Sequence, residues 1–359
     1  MWPQHCNTHC PIQALQTLPV ALLPYKARNC YNDEHTRSHA EVDMLRFTLA
    51  GGHYDRTQAL IDGGVKPSGV ELTYLPMRPP EIFRRMLRYL EFDGSEMSMS
   101  SLLIGREQGI PLVAIPVFPS RKFRHSYIFC NVDAGIREPQ DLIGKRVGAR
   151  EYQLTANLWI RGILKHEYDV EAKDIRWFTE WEERIPVGTI EGVTVKRIPE
   201  GKTLDGMLIN GEIDALIWPN IPNSVRRRSA KVRRLFEDYP RVEAEYYKKT
   251  GLFPIMHTVV LKRDVYERNP WLAVSLLEAY REAKERCFRQ MDDPSVHSLV
   301  WFEACKEEQH RVFGSDPYPY NIRENRKVLE TIIQYSVEQG LTKSPFSIED
   351  LFAKNTLDA

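Results

Sequence analysis

The residues best equipped for chemistry lie between Val117 and Leu164. One group is cationic: Arg121, Lys122, Arg124 and His125, punctuated by Pro119 and Ser120. The other is a strand predicted over residues 146–149, a polar turn Glu151-Tyr152-Gln153, and a helix opening at Thr155. A strand that feeds a helix leaves backbone N–H groups free at the helix start, and these attract anions. Guanidinium forks facing such a start make a clamp for a small carboxylate. Arg121 and Arg124 stand three apart and can converge, while Arg56 follows the first strand and can close the site from the other side. A solvated surface loop is the plainer reading of four basic residues. Phe118, Pro119 and Phe123 argue instead for a loop packed in a cleft.

The elements that must position these residues alternate. Strands are expected over 45–50, 69–75, 112–117, 126–132, 175–178, 215–218 and 255–261. Helices are expected from Pro79-Pro80-Glu81, over 156–166 and 203–210, and from Asn269-Pro270 onward, with Pro and Asn in their usual start positions. The alternation indicates an α/β chain. The expected organisation is two lobes: 44–130 with 255–359, and 131–254, the ligand cleft lying between them. Residues 1–43 lack periodicity, and a disordered extension is expected there. Cys6-x3-Cys10 and His35-x3-His39 only imitate a zinc module, because the pairs stand too far apart.

Composition sets limits. Lys+Arg and Asp+Glu both number 49 among 359 residues, which argues against broad capture of nucleic acid or membrane. The Arg226-Arg227-Arg228 run has no interleaved aromatics and reads as a solvated face. Ile110 to Phe118, the longest apolar run, holds two prolines and falls short of the roughly 20 residues a membrane helix needs. Six scattered cysteines form no disulfide framework, so a reducing, cytoplasmic setting is expected.

The phrases Asp141-Leu-Ile-Gly-Lys-Arg-Val-Gly148 and Leu208-Ile-Asn-Gly-Glu-Ile-Asp-Ala215 are similar to those of the type 2 periplasmic-binding-protein fold. More specific strings are Tyr54-Asp-Arg-Thr57, Val117-Phe-Pro-Ser-Arg121, Phe123-Arg-His-Ser126, Glu151-Tyr-Gln153 with Thr155, and Leu158-Trp-Ile-Arg-Gly162. Through these, from about residue 45 onward, the chain resembles the 4,5-dihydroxyphthalate decarboxylase family. The resemblance implies a cytoplasmic carboxy-lyase that turns 4,5-dihydroxyphthalate into protocatechuate and CO₂ without an organic cofactor. Its partner is then a small aromatic dicarboxylate. Self-association into a homo-oligomer is compatible with the sequence.

Such a decarboxylation needs cations for the carboxylates, a partner for a ring hydroxyl, and a proton for the ring carbon. Six histidines lie beyond residue 43, at 53, 125, 166, 257, 297 and 310. His257 or His125 is expected to donate the proton, and Asp55 or Glu151 to face a hydroxyl. Tyr54, Arg56, Arg121, Arg124, Tyr152, Gln153 and Thr155 are the expected substrate contacts. His166, His297 and His310 are read as exposed, and Trp177, Phe178 and Trp181 as core or cleft wall. A metal route through His53, Asp55, Glu151 and His257 lacks a ligand signature, so no metal is expected. Two rival readings share the fold. One is a non-catalytic binder of a small acid, which a leader or anchor would favour. The other is a thiamine-precursor synthase, which a cysteine-rich motif would favour.

Overall fold

The computed structural model describes residues 44–359; the extension expected over 1–43 and its cysteine and histidine pairs lie outside the described residues. Two sheets carry the architecture. The first has the order β2-β1-β3-β11-β4, from Val70–Pro76, Leu45–Gly51, Gly94–Ser98, Ile255–Lys262 and Leu112–Arg121. The second has the order β10-β5-β9-β6-β7-β8, from Val232–Arg234, Ile128–Asn131, Ala215–Ile217, Arg146–Ala149, Arg176–Thr179 and Val195–Arg197. The chain crosses between sheets twice, after β4 and before β11. β5 pairs only within the second sheet, so the first hand-over falls in 122–127, slightly before the expected boundary at 130.

β3 was not anticipated, and its sequence explains why. Gly-Ser-Glu-Met-Ser has no apolar alternation, yet all five residues are buried. A strand flanked by β1 and β11 has its backbone satisfied on both sides, so pairing rather than propensity makes it a strand. β4 also runs further than expected, to Arg121. Opposite β11, His257 pairs with Ser120 but Val259 with Ile115, so 116–119 bulge out of register. Pro116 and Pro119 lack the N–H a regular ladder would use there, and the bulge re-aims the strand end.

The helix Thr155–Tyr168 is buried over its first ten residues. Leu158, Trp159, Ile160 and Leu164 are almost wholly enclosed, each worth about 1.5–3 kcal/mol of burial. The Trp159 indole donates to Ile255 O at 2.9 Å, tying this helix to the first sheet. The helix Ile322–Glu338 and its following turn strap its other side: Arg161 Nε donates to Gln339 Oε1 at 2.7 Å, and Gln339 Nε2 donates to Leu158 O at 2.9 Å. Among the described residues no helix is long and apolar enough to cross a membrane.

Candidate functional site

The parallel strands β1 and β3 end, at their C-termini, in Gly51 and Ser98. β6 and β9, also parallel, end in Ala149 and Ile217. Strand ends of this kind are where open α/β sheets bind ligands. The Thr155 hydroxyl joins the two sets. It lies 2.8 Å from Ser98 Oγ and 3.1 Å from Ser100 Oγ, and accepts the Ser100 backbone N–H at 3.0 Å. The crevice between the sheets is therefore rimmed by the segments that follow β1, β3, β6 and β9.

On the first-sheet side stands a three-residue cluster. Glu96 is 1% exposed. Its Oε2 accepts the Gly52 backbone N–H at 2.7 Å, and its Oε1 accepts the Tyr54 hydroxyl at 2.6 Å and lies 2.5 Å from His257 Nδ1. A Cβ on residue 52 would stand 2.9 Å from Glu96 Oε2 and nearer still to the Tyr54 ring, so glycine is what admits the carboxylate. Burial first, then the neighbouring Glu96 charge, pushes the Tyr54 phenol far above its ordinary range, so it remains a donor. His257 shares a sheet face with Ser98 and Ser120 through strand register. The Phe83 ring meets the imidazole edge-on at 4.9 Å. Nδ1 is occupied, and Nε2 has no hydrogen-bond partner among the described residues.

Arg124 lies in the first crossing, at the second sheet's edge of the crevice. Its Nη2 donates to Trp218 O, just past the end of β9, at 3.1 Å, and its guanidinium covers the Tyr127 ring at 4.3 Å. Only 1% of the residue is exposed, and Nε has no partner. No carboxylate lies within ion-pair reach among the described residues. Burial draws its pKa down to about 10, which leaves it charged at neutral pH. Burial, then the Arg124 charge, also lowers Lys122. Glu243, held on the Ser126 N–H at 2.9 Å, acts on Arg124 from beyond ion-pair reach, so the buried guanidinium still favours an anion in direct contact.

Across from His257, the turn after β6 brings further unsatisfied atoms. Glu151 is fully buried; its Oε1 accepts from Arg184 Nη2 at 2.9 Å and from Arg150 Nη2 at 3.4 Å, while Oε2 has no partner. Both amide atoms of the buried Gln153 are likewise unpaired, as are Asn157 Oδ1 and Arg184 Nη1. The Arg184 guanidinium sits 5.4 Å above the same Phe83 ring that contacts His257. Phe83 thus links the two sides. Outside Glu151 and Arg184 opens a cavity of about 940 Å³, lined also by Arg84, Leu87, Trp181 and Ile185.

Several expected contacts belong elsewhere. Arg121 pairs with Ile255, across a register irregularity from the His257–Ser120 pair. It donates to Phe253 O at 2.7 Å and to Asn325 Oδ1 at 2.9 Å and braces the framework. Arg56 donates to Pro119 O at 3.1 Å and stacks on Tyr318 at 3.9 Å. Asp55, half exposed, pairs with Arg56 at 2.8 Å and does not reach the cluster. His125 is 1% exposed amid Phe236, Tyr246 and Tyr168, with neither ring nitrogen bonded. Burial lowers its pKa to about 4, which favours the neutral ring among these aromatics. Tyr152 packs in the second lobe, under Arg161 at 3.7 Å and against Trp177 at 5.8 Å.

Ahead of the helix the turn amides are taken, whereas the N–H groups of Thr155 and Ala156, its first two residues, have no partner among the described residues. Glu183 accepts the backbone N–H of Tyr152 at 2.6 Å and of Gln153 at 2.9 Å. The anion at that turn is one of the protein's own carboxylates. Among the described residues no three His, Cys, Asp or Glu side chains are grouped to hold a metal. His53 bonds Gln58 at 2.8 Å, apart from Glu151 and His257. Trp177 is core, while Trp181 is half exposed on the outer cavity.

Sequence reasoning missed Glu96, Ser98, Ser100 and Arg184. A lone acid inside Ser95-Glu96-Met97-Ser98 was the available signal, since a charge bordered by small residues suits a crowded buried strand. Arg184 offered none: it stands among Glu180, Glu182 and Glu183 and looks like surface.

No protein-family model matches the chain. Solved structures place its architecture. The periplasmic aliphatic sulphonate-binding protein SsuA of Escherichia coli superposes with a TM-score of 0.53 at 14% identity, covering 87% of this chain and 98% of that one. The alkanesulfonate-binding protein SsuA of Xanthomonas axonopodis pv. citri gives 0.50 at 12% identity, covering 88% and 98%. With the two sheets and paired crossings, this is the two-lobed type 2 periplasmic-binding-protein-like fold. Two curated relatives are nearer in sequence. One is 4,5-dihydroxyphthalate decarboxylase of Comamonas testosteroni, 37% identical over 327 residues, or 89% of this chain and 99% of the relative. The other is 4,5-dihydroxyphthalate decarboxylase of Pseudomonas putida, 38% identical over 214 residues, or 58% of this chain and 83% of the relative. Identity at that level across nearly the whole of the first relative is far beyond shared architecture: the chain belongs to the 4,5-dihydroxyphthalate decarboxylase family.

Proposed function

We propose that this protein is a non-oxidative decarboxylase of a dihydroxylated aromatic dicarboxylate, with 4,5-dihydroxyphthalate as substrate and protocatechuate and CO₂ as products. The observation that carries the reading is a set of complementary, unfilled valences around the strand ends of the two sheets. A buried guanidinium lacks an anion, at Arg124. A buried carboxylate oxygen and an amide lack partners, at Glu151 and Gln153. An imidazole nitrogen is open, at His257.

Each group has a task. Arg124 pairs the carboxylate that is retained. The leaving carboxylate lies toward Phe83 and His257, where an apolar ring edge favours its conversion to neutral CO₂. Glu151 Oε2 and the Gln153 amide take the ring hydroxyls. With two arginines on Oε1, Glu151 accepts a hydrogen bond on Oε2 and increases electron density on the oxygen para to the reacting carbon. His257 Nε2 delivers a proton to that carbon. The Nε2–H bond breaks and the ring C–H bond forms. The electrons of the carbon–carboxylate bond return to the ring as CO₂ departs, and solvent restores the imidazolium.

The test is incubation of the purified protein with 4,5-dihydroxyphthalate, following CO₂ and protocatechuate together. Stoichiometric appearance of both is expected, and His257→Asn should lower kcat on the order of 10²- to 10⁴-fold. Tight binding without turnover would overturn the reading and leave a carboxylate-binding protein.

A further inference from the structure

Among the buried titratable groups, Glu96 is the one held by Gly52 and Tyr54 against the proposed proton donor. We propose that Glu96 is the positioning residue of His257, acting with Tyr54 and the Gly52 amide; this rests on the decarboxylase reading above. Both carboxylate oxygens are committed: Oε2 to Gly52 N at 2.7 Å, Oε1 to the Tyr54 hydroxyl at 2.6 Å and to His257 Nδ1 at 2.5 Å. No Lys or Arg pairs with it among the described residues, so the imidazole is its one basic partner there. Tyr54 remains a donor, so it cannot supply a competing charge.

The consequence concerns which nitrogen holds which proton. Glu96 Oε1 at 2.5 Å from Nδ1 is the acceptor for a hydrogen on that nitrogen. When His257 is cationic, the second hydrogen is on Nε2, toward the crevice. When Nε2 has given it up, the neutral ring keeps its hydrogen on Nδ1. One tautomer therefore serves before and after transfer, and no ring flip is needed between turnovers. The Phe83 edge contact holds the ring plane, and β11 on both of its sides fixes the backbone. Remote supply of the acid explains why His257 and its partner lie 161 residues apart yet share one sheet face.

The experiment pairs kinetics with spectroscopy on the full chain. Glu96→Gln should lower kcat on the order of 10²-fold or more while KM changes less than about threefold. Nitrogen NMR of histidine-labelled protein should show His257 leaving the Nδ1–H form. Glu96→Asp, which keeps the charge, should retain more of kcat than Glu96→Gln. In a His257→Asn background, Glu96→Gln should cost nothing further in kcat. Independent, multiplying losses, or an unchanged His257 tautomer in Glu96→Gln, would overturn the assignment. Should Glu96→Gln fail to fold, the same two readouts on Glu96→Asp decide it: wild-type kcat with an altered tautomer population refutes it. If the wild type releases no CO₂, the decarboxylase reading fails alone, and the tautomer measurement still settles the positioning.

Discussion

Thr155 Oγ1 lies 2.8 Å from Ser98 Oγ, so the first residue of a second-lobe helix is bonded to the last residue of a first-lobe strand. The same oxygen accepts the Ser100 N–H. Replacing Thr155 with Val preserves shape and removes the acceptor, leaving a buried N–H unpaired. Unfolding by denaturant should show a loss of about 1–3 kcal/mol, and Thr155→Ser should recover most of it. Equal midpoints for wild type and Thr155→Val would show that the contact does not join the lobes.

Arg124 and Arg121 stand three apart and should behave oppositely. Arg124→Ala removes the unpaired cation of the crevice and should raise KM by the equivalent of roughly 2–5 kcal/mol. Arg121→Ala strands Phe253 O and Asn325, so its cost of roughly 1–3 kcal/mol should appear in thermal unfolding, with KM nearly unchanged. Steady-state kinetics beside calorimetry on the two variants separates these roles. A KM effect in Arg121→Ala as large as in Arg124→Ala would remove the distinction.

His125 should make the fold acid-sensitive. Burial lowers its pKa from the ordinary 6.5 to about 4, so between those values the unfolded chain binds a proton that the folded one refuses. Its contribution is therefore intact above about pH 6.5 and declines as pH falls toward 4, by about 3 kcal/mol in total. His125→Phe, placed amid Phe236, Tyr246 and Tyr168, should flatten this part of the stability profile. Chemical unfolding at pH 5 and pH 7 measures it, and parallel profiles for both proteins would exclude His125 as the source.

Gly162 lies where the helix Thr155–Tyr168 meets the C-terminal helix. An added Cβ would come within 2.0 Å of the Tyr335 ring. Gly162→Ala should destabilise despite the better helix propensity of alanine, since overpacking costs about 1–3 kcal/mol against a propensity gain of roughly 0.8–1.0 kcal/mol. A raised melting temperature would show that Tyr335 yields freely.

Much of this protein was legible in the residue order. Apolar runs and prolines marked β1, β2, β4, β6 and β11, and short phrases carried both the fold and the family. The types and neighbours of His257, Arg124, Glu151, Gln153 and Thr155 suit the chemistry proposed for them, and local pattern records such preferences. Tertiary structure alone decided the rest. It buried Arg121 against Phe253 O and Asn325, partners 132 and 204 residues away. It enclosed His125 in aromatic rings drawn from two later segments. It brought Glu183 from 30 residues away to the amides of Tyr152 and Gln153, capping the turn before the helix. It made a strand of Gly94–Ser98 and set Glu96 beside His257. Register, burial and partnership are properties of pairs of distant segments, and no single stretch of chain contains them.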